Sequence, residues 1–266
     1  MALEYNATVV GKIMVTPDIM VLRVNTDTER AEFEPGQYTV LGMYGREERS
    51  PNSEAERTET QPEKLIRRAY SVASHRSGGN EMEFYISQVK TGQLTPRLFN
   101  LQEGDRLYAS ERIVGMFKLS ETPLNMDITM VATGTGIAPY ISFLRSHIAE
   151  NQNIKMAVIH GAAHQWDLGY YSELNFLAST FPNFSYLPTL TDPSEIWQGY
   201  DLWIEEMLDQ KILQEKTGIE IDPEKTHFFL CGNPNMAKGI SAWLVDNHNY
   251  TKHSRKAPGA LHIEEF

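Results

Sequence analysis

The run Met126–Leu144, MDITMVATGTGIAPYISFL, constrains this chain more than any other stretch. It opens with a short β-type segment, Asp127–Ala132, carrying apolar Ile128, Met130 and Val131. Gly134-Thr135-Gly136 follow, and after Ile137-Ala138-Pro139 the pattern turns helical. Ile137, Ile141, Leu144 and Ile148 recur at intervals of four, three and four, which places them on one helix face. Pro139 suits the first turn of that helix, where a missing N–H removes no hydrogen bond. A strand, a glycine turn and a helix N-terminus together predict an anion site. Glycine lets a backbone come close, and the unpaired N–H groups with the helix dipole favour a pyrophosphate. Taken alone, the run fits an ordinary βα turn equally well.

What surrounds it decides between the two. After Ser120 the chain alternates strand and helix, with strands expected at Ile128–Ala132, Lys155–His160, Phe184–Leu190 and His227–Cys231. Helices are expected at Ala138–Ala149, Ser172–Ser179, within Asp201–Leu213, and at Asn235–Asn247. Such alternation predicts a parallel sheet with helices on both faces and a ligand crevice at the carboxyl ends of its strands. Thr133–Gly136, His160–Gly161 and Cys231–Pro234 all fall at those ends.

Residues 1–120 read differently. Short β-type runs at Thr8–Val15, Met20–Val24, Gln37–Leu41, Leu65–Ser71, Glu81–Val89 and Arg106–Ala109 are separated by turn signals such as Glu34-Pro35-Gly36 and Ser77-Gly78-Gly79-Asn80. Six strands at this spacing predict a closed antiparallel β-barrel, which leaves no open edge. The polar stretch Tyr44–Glu63 is expected to be a solvated, mobile loop. The expected division is 1–120 and 121–266, with a linker near Ser120–Asn125.

Composition narrows the function. A single cysteine, Cys231, excludes a disulfide framework, a Cys-ligated iron–sulfur cluster and a thiolate zinc site. No metal site is expected. A net charge of −11 argues against nucleic acid as a partner. The first residues, MALEYNATVV, lack the basic and apolar regions of a signal peptide, and no apolar run approaches the roughly 20 residues of a membrane span. A cytoplasmic setting, with no membrane partner, is the expectation.

Two runs in the first half carry chemistry. In Arg68-Ala69-Tyr70-Ser71, strand alternation puts Arg68 and Tyr70 on one face. An arginine holds phosphate through charge-assisted hydrogen bonds and a tyrosine offers a ring to stack on a flat ligand, although a surface Arg and a half-buried Tyr on any barrel strand look the same. Gly92-Gln93-Leu94-Thr95-Pro96-Arg97 sets a glycine turn before a helix start, with Thr95 as the expected cap.

Five ordered motifs, Arg68–Ser71 (R-x-Y-S), Gly92–Thr95, Thr133–Pro139 (T-G-T-G-I-A-P), Cys231–Met236 (C-G-N-P-x-M) and the aromatic Phe266, together resemble the bacterial-type ferredoxin/flavodoxin–NADP reductases. The resemblance spans essentially the whole chain. It implies a barrel that holds FAD and an α/β, Rossmann-like parallel-sheet domain that holds a nicotinamide dinucleotide, with hydride exchanged between NADPH and flavin N5 and single electrons exchanged with a ferredoxin or flavodoxin. It implies FAD contacts at Arg68, Ala69, Tyr70 and Ser71, along Tyr85, Ile86 and Val89, and at Gly92, Leu94 and Thr95. Phe266 would cover the second flavin face, and Thr133 would lie between the two cofactors. Gly134, Thr135, Gly136, His160, Gly161, Asp192, Gly232, Asn233 and Met236 would meet the dinucleotide. Ser71, Cys231 and Glu264 would serve the chemistry, Glu264 by proton exchange; the bland reading of Glu264 is an exposed tail carboxylate.

The chain departs from the pattern at the adenosine end. Where NADP-preferring members carry arginines, Ala163 and Asp192 stand here, and His160 occupies the second-strand end where NAD sites place an acid. NADP and NAD both remain open. So does a reductase component fed by NADH and serving an oxygenase, and a flavin-binding sensor without turnover. Lys64, Arg67 and Lys90 are candidates for a basic docking face.

Overall fold

The computed structural model describes residues 4–123 and 125–265, so Leu124 of the expected linker and Phe266 lie outside the described residues. The chain divides into two compact units, Met1–Met116 and Phe117–Phe266.

The first unit is an antiparallel barrel of β1 (Ala7–Thr16), β2 (Ile19–Thr26), β3 (Tyr38–Tyr44), β4 (Leu65–Ser71), β5 (Glu81–Ser87) and β6 (Arg106–Ala109), with a short helix, α1 (Thr95–Asn100), between the last two strands. The strand order is β4-β3-β6-β1-β2-β5. Alternation does the work: Met20, Leu22 and Val24 of β2 and Met82, Phe84 and Ile86 of β5 point into one core, which Leu94, Leu98 and Phe99 close from the helix. β4 and β5 end the strand order, and they are tied just past the end of β4. There Ala73 N–H donates to Glu83 O at 2.8 Å, and Glu83 N–H donates to Ser74 Oγ at 3.3 Å. The barrel is therefore split along much of β4, and side chains on its inward face can reach the surface.

The expectation of a solvated, mobile loop over Tyr44–Glu63 needs correcting. Ser50 and Thr60 are buried, and Glu56 lies between Arg49 (3.0 Å) and Arg97, with which it forms a short ion pair. Three charges held at low exposure anchor a segment whose composition alone looks loose.

The second unit carries β7 (Asp127–Thr133), α2 (Ala138–His147), β8 (Met156–Ala162), α3 (Tyr171–Thr180), β9 (Phe184–Leu190), α4 (Ile204–Asp209), α5 (Ile212–Thr217), β10 (Thr226–Gly232), α6 (Pro234–His248) and β11 (Leu261–Glu265). The sheet is parallel, in the order β11-β10-β7-β8-β9. On one face α2 packs Tyr140 and Phe143 against Phe117 and Phe229. On the other, Ile204, Met207, Leu213, Ile240 and Leu244 cover Val131, Ile159, Phe228 and Leu230. With both faces covered, the central strands β7, β8 and β10 are buried along nearly their whole length rather than at alternate residues. The fifth strand, β11, was not among the sequence expectations; it pairs in parallel with β10 and sets Glu264 opposite Cys231.

Candidate functional site

In the barrel unit, Arg68 is exposed on β4, and Tyr70 and Ser71 are half-buried. Arg68 and Tyr70 share the parity of the buried Ile66, so they lie on the inward face where the barrel is split. The Tyr70 ring meets Phe84 edge-on, with centroids 6.5 Å apart, which holds one of its faces in place without covering the whole ring. The glycine turn lies between β5 and α1. Gly92 N–H donates to Val89 O at 2.8 Å, and a Cβ at Gly92 would come 2.9 Å from that same oxygen. Only glycine lets the chain fold back so tightly here. The turn is braced by cations: Arg49 Nη1 donates to Gly92 O at 2.7 Å, Arg49 Nη2 to Lys90 O at 2.9 Å, and Arg97 Nη1 to Gln93 O at 2.5 Å. An exposed arginine and a supported ring on β4, and a braced glycine turn after β5, are the groups of this unit that suit a flat ligand with a phosphate tail.

In the parallel-sheet unit the crevice lies at the carboxyl ends of β7, β8 and β10. Gly134 adopts a φ of +53° with open space beside it, and Gly134–Ile137 form one 3₁₀ turn leading into α2. Gly136 is pressed on the next strand: a Cβ there would sit 2.2 Å from Cys231 O. Across the same junction Asn233 N–H donates to Thr133 Oγ1 at 2.9 Å, and Asn233 caps α6 by accepting from Asn235 N–H at 2.8 Å. Gly232 takes a φ of +125° to make that turn. Backbone approaches this close, beside a glycine that leaves space open, fit a pyrophosphate-bearing ligand.

The buried groups beneath are neutral. His160 is fully buried, with Nδ1 3.2 Å from Tyr186 Oη and Nε2 3.4 Å from Gly134 O; burial lowers its pKa to about 4. Burial, and then the nearby Glu264 carboxylate, pushes the Cys231 thiol well up. Burial, with Cys231 and Glu264 nearby, does the same to the Tyr140 hydroxyl, which lies 2.7 Å from Phe229 O and 3.0 Å from Val131 O.

Both units have counterparts among known proteins. Residues 6–110 match the oxidoreductase FAD-binding domain and residues 130–242 the oxidoreductase NAD-binding domain. A flavodoxin/ferredoxin–NADP reductase of Buchnera aphidicola subsp. Schizaphis graminum is 30% identical over 261 residues, 98% of this chain and 98% of its own. The protein of that name from Buchnera aphidicola subsp. Baizongia pistaciae is 32% identical over 203 residues, 76% of this chain and 81% of its own. This chain belongs to the flavodoxin/ferredoxin–NADP reductase family. Its fold is shared with a ferredoxin NADP+ reductase from Neisseria gonorrhoeae crystallised with FAD and NADP, at a TM-score of 0.83 over 98% of this chain and 97% of that one, with 23% identity. Among the described residues no helix is long and apolar enough to cross a membrane, and no cluster of potential metal ligands occurs.

Within this reductase-family chain several expected positions take other parts than the sequence suggests. Thr95 does not cap α1: Leu94 stands at the cap, and the Thr95 hydroxyl accepts from Val89 N–H at 2.9 Å, which ties down the glycine turn instead. Leu94 and Ile86 belong to the barrel core, Tyr85 is buried, and Val89 lies exposed beyond the end of β5. The His160 side chain supports the Gly134 turn from below and offers nothing to a ligand in the crevice, because both ring nitrogens are engaged. Met236 packs in the core beneath α6. Glu264 is a strand residue, half-buried, and not an exposed tail group. Gly161 packs under Ile204, where a Cβ would come 3.0 Å from Cδ1, whereas Asp192 is open to solvent. The bracing set of Arg49, Glu56 and Arg97 is not legible in the sequence: only Arg97 adjoins the glycine turn, and Arg49 and Glu56 lie in the polar run about forty residues earlier.

Proposed function

We propose that this protein is an FAD-dependent reductase that passes hydride between a nicotinamide dinucleotide and flavin N5 and exchanges single electrons with a transiently docked ferredoxin or flavodoxin. The observation that carries the reading is the relative whose name is flavodoxin/ferredoxin–NADP reductase, aligned over 98% of both chains, together with both glycine turns in place. The flavin, when bound, supplies the conversion between two-electron and one-electron chemistry. The chain's own residues bind and orient. Arg68 holds phosphate oxygens through charge-assisted hydrogen bonds, on the order of 1.5–3 kcal/mol each. Tyr70 offers its ring to the isoalloxazine, Ala69 and Ser71 line its polar edge, and Gly92, Leu94 and Thr95 shape the pyrophosphate turn while Tyr85, Ile86 and Val89 flank it. Thr133, Gly134, Thr135, Gly136, Gly161, Gly232 and Asn233 shape the nicotinamide crevice. The neutral Cys231 thiol keeps the floor of that crevice uncharged, and the Glu264 carboxylate beside it exchanges a proton with water.

Electron partners of this kind are acidic, and the chain is too, so docking needs a local basic face. Lys64 and Arg67 are exposed on and next to β4, whereas Lys90 is engaged with Asp18 at 3.1 Å. The test is anaerobic mixing of the purified, FAD-loaded protein with NADPH and with NADH while flavin absorbance is followed, then addition of oxidised ferredoxin or flavodoxin. Bleaching followed by reoxidation on adding the partner is expected. A colourless protein that takes up no FAD would falsify the reading, and bound flavin that neither dinucleotide bleaches would leave only a sensor.

A further inference from the structure

At the carboxyl ends of β8 and β9 two loops meet. Thr191 N–H donates to Ala162 O at 3.1 Å and Asp192 N–H to Ala163 O at 2.9 Å, so Asp192 stands directly beside Ala163. His164 Nε2 lies 3.6 Å from Asp192 Oδ2, and the His164 ring is held edge-on against Trp166, with centroids 4.6 Å apart. Ser194 Oγ donates to Gln165 Oε1 at 3.2 Å and ties the same loops together further along. Next to them is a cavity of about 540 Å³, with Tyr171, Pro188, Ile196 and Trp197 among its walls. Its rings, Tyr171 and Trp197, offer faces on which a purine can lie, and Gln165 and Gln198 add polar groups to the same walls.

The charge of these loops is one-sided. Residues 160–169 and 190–203 contain no lysine or arginine, and they carry four carboxylates, Asp167, Asp192, Glu195 and Asp201. The arginine of α2 is already engaged elsewhere. Arg145 is held by both oxygens of Glu173, at 2.7 and 2.8 Å.

We infer that these loops hold the adenosine half of a dinucleotide without a 2′-phosphate, so that this chain takes NADH in preference to NADPH. The inference rests on the reductase function proposed above and names its donor. The Asp192 carboxylate, steered by His164, accepts hydrogen bonds from free ribose hydroxyls, the task an acid performs at the second strand of other dinucleotide folds. A 2′-phosphate would add roughly two negative charges beside that carboxylate, and neither loop supplies a guanidinium to receive them. At Ala163 a short side chain leaves the place of such a partner empty.

Binding is measured by calorimetry on the FAD-loaded protein with two fragments that cannot reduce it, ADP-ribose and 2′-phospho-ADP-ribose. ADP-ribose is expected to bind at least tenfold more tightly. Asp192→Ser should weaken ADP-ribose several-fold, and adding Ala163→Arg to it should reverse the order of the two fragments. Both positions are open to solvent, so these variants should keep the wild-type melting temperature. ADP-ribose failing to bind more tightly than the phosphorylated fragment overturns the inference. Whether either reduced dinucleotide still bleaches the flavin anaerobically then tells whether the reductase reading stands without it.

Discussion

The glycine turn of the barrel unit and that of the parallel-sheet unit both bring backbone too close for a side chain, at Gly92 and at Gly136, and they are held in different ways. Around Gly92 the braces are charged side chains: Arg49 and Arg97 reach the carbonyls of Lys90, Gly92 and Gln93, and Glu56 binds both guanidiniums. Around Gly134–Gly136 the braces are neutral: the Cys231 carbonyl against Gly136, the Asn233 amide on Thr133 and the buried imidazole of His160. Topology explains the difference. In a parallel sheet neighbouring strands end side by side, so one strand's turn can rest on the next strand's backbone. In the antiparallel barrel the chain leaves β5 with no such neighbour, and a loop from elsewhere has to supply the support through long side chains. A turn held by charge and one held by contact should fail under different insults.

Acid should separate them most strongly. The second unit buries three neutral histidines, His160 and His227 with pKa values lowered to about 4 and His262 to about 3, all chiefly by burial. His227 Nδ1 lies 2.9 Å from His262 Nε2, so one ring nitrogen must stay unprotonated. Their folded values lie below the unfolded ones, so their stabilisation is complete above about pH 6.5 and falls as pH drops toward 4. The expected loss is on the order of 1 kcal/mol per histidine by pH 5.5. All four tryptophans, at 166, 197, 203 and 243, are in this unit, so denaturant titrations followed by tryptophan emission report it alone. Glu56 behaves differently. Burial raises its pKa, but hydrogen bonds from Arg97 and Thr60 and the charges of Arg97 and Arg49 outweigh burial and hold it below the usual carboxylate value. Its contribution is present above about pH 4.3 and is lost only below that, so hydrogen-exchange protection factors in the barrel should stay flat between pH 6.5 and 5. Equal acid sensitivity of the two units would break the contrast.

Glu56→Ala is expected to cost about 2–3 kcal/mol, because it strips the carboxylate from a guanidinium that is only 5% exposed. The loss should appear in hydrogen exchange of β5 and α1, along with weaker FAD retention, and leave tryptophan emission unchanged. Gly136→Ala should cost about 2 kcal/mol in the second unit, since its methyl would meet the Cys231 carbonyl and the strands must part to admit it. Tryptophan-detected melting reads that loss, and dinucleotide affinity should fall with it. The smallest expected effect is that of Thr133→Val, about 1 kcal/mol, for one hydrogen bond to Asn233 N–H removed at similar volume. A Thr133→Val loss as large as that of Gly136→Ala would mean that the hydroxyl and not close packing holds the crevice.

How far these features are legible in the sequence depends on their range. The strand, turn and helix of Asp127–His147 follow from local pattern, down to Pro139 in the first turn and the buried face of Ile137, Ile141, Leu144 and Ile148. The barrel strands follow from alternation between turn signals, with β4 and β6 at their expected bounds. Thr95 misled because its hydroxyl has two possible acceptor roles, at a helix N-terminus or on a neighbouring turn, and local sequence does not choose between them. Glu56 and Arg49 sit in a polar run whose composition is that of a loose loop; their burial depends on Arg97, about forty residues away.

Alternation, glycine turns and proline placement thus determined by themselves which segments become strands and helices and where two tight glycine turns arise, because those preferences act within a few residues of backbone. The tertiary structure alone decided that Leu261–Glu265 becomes a fifth parallel strand, that His160 is buried beneath its turn, and that Ala163 and Asp192 stand side by side. Each of these is set by which strand lies next to which. That choice depends on how the apolar faces of whole elements pack, and no short window of sequence contains it.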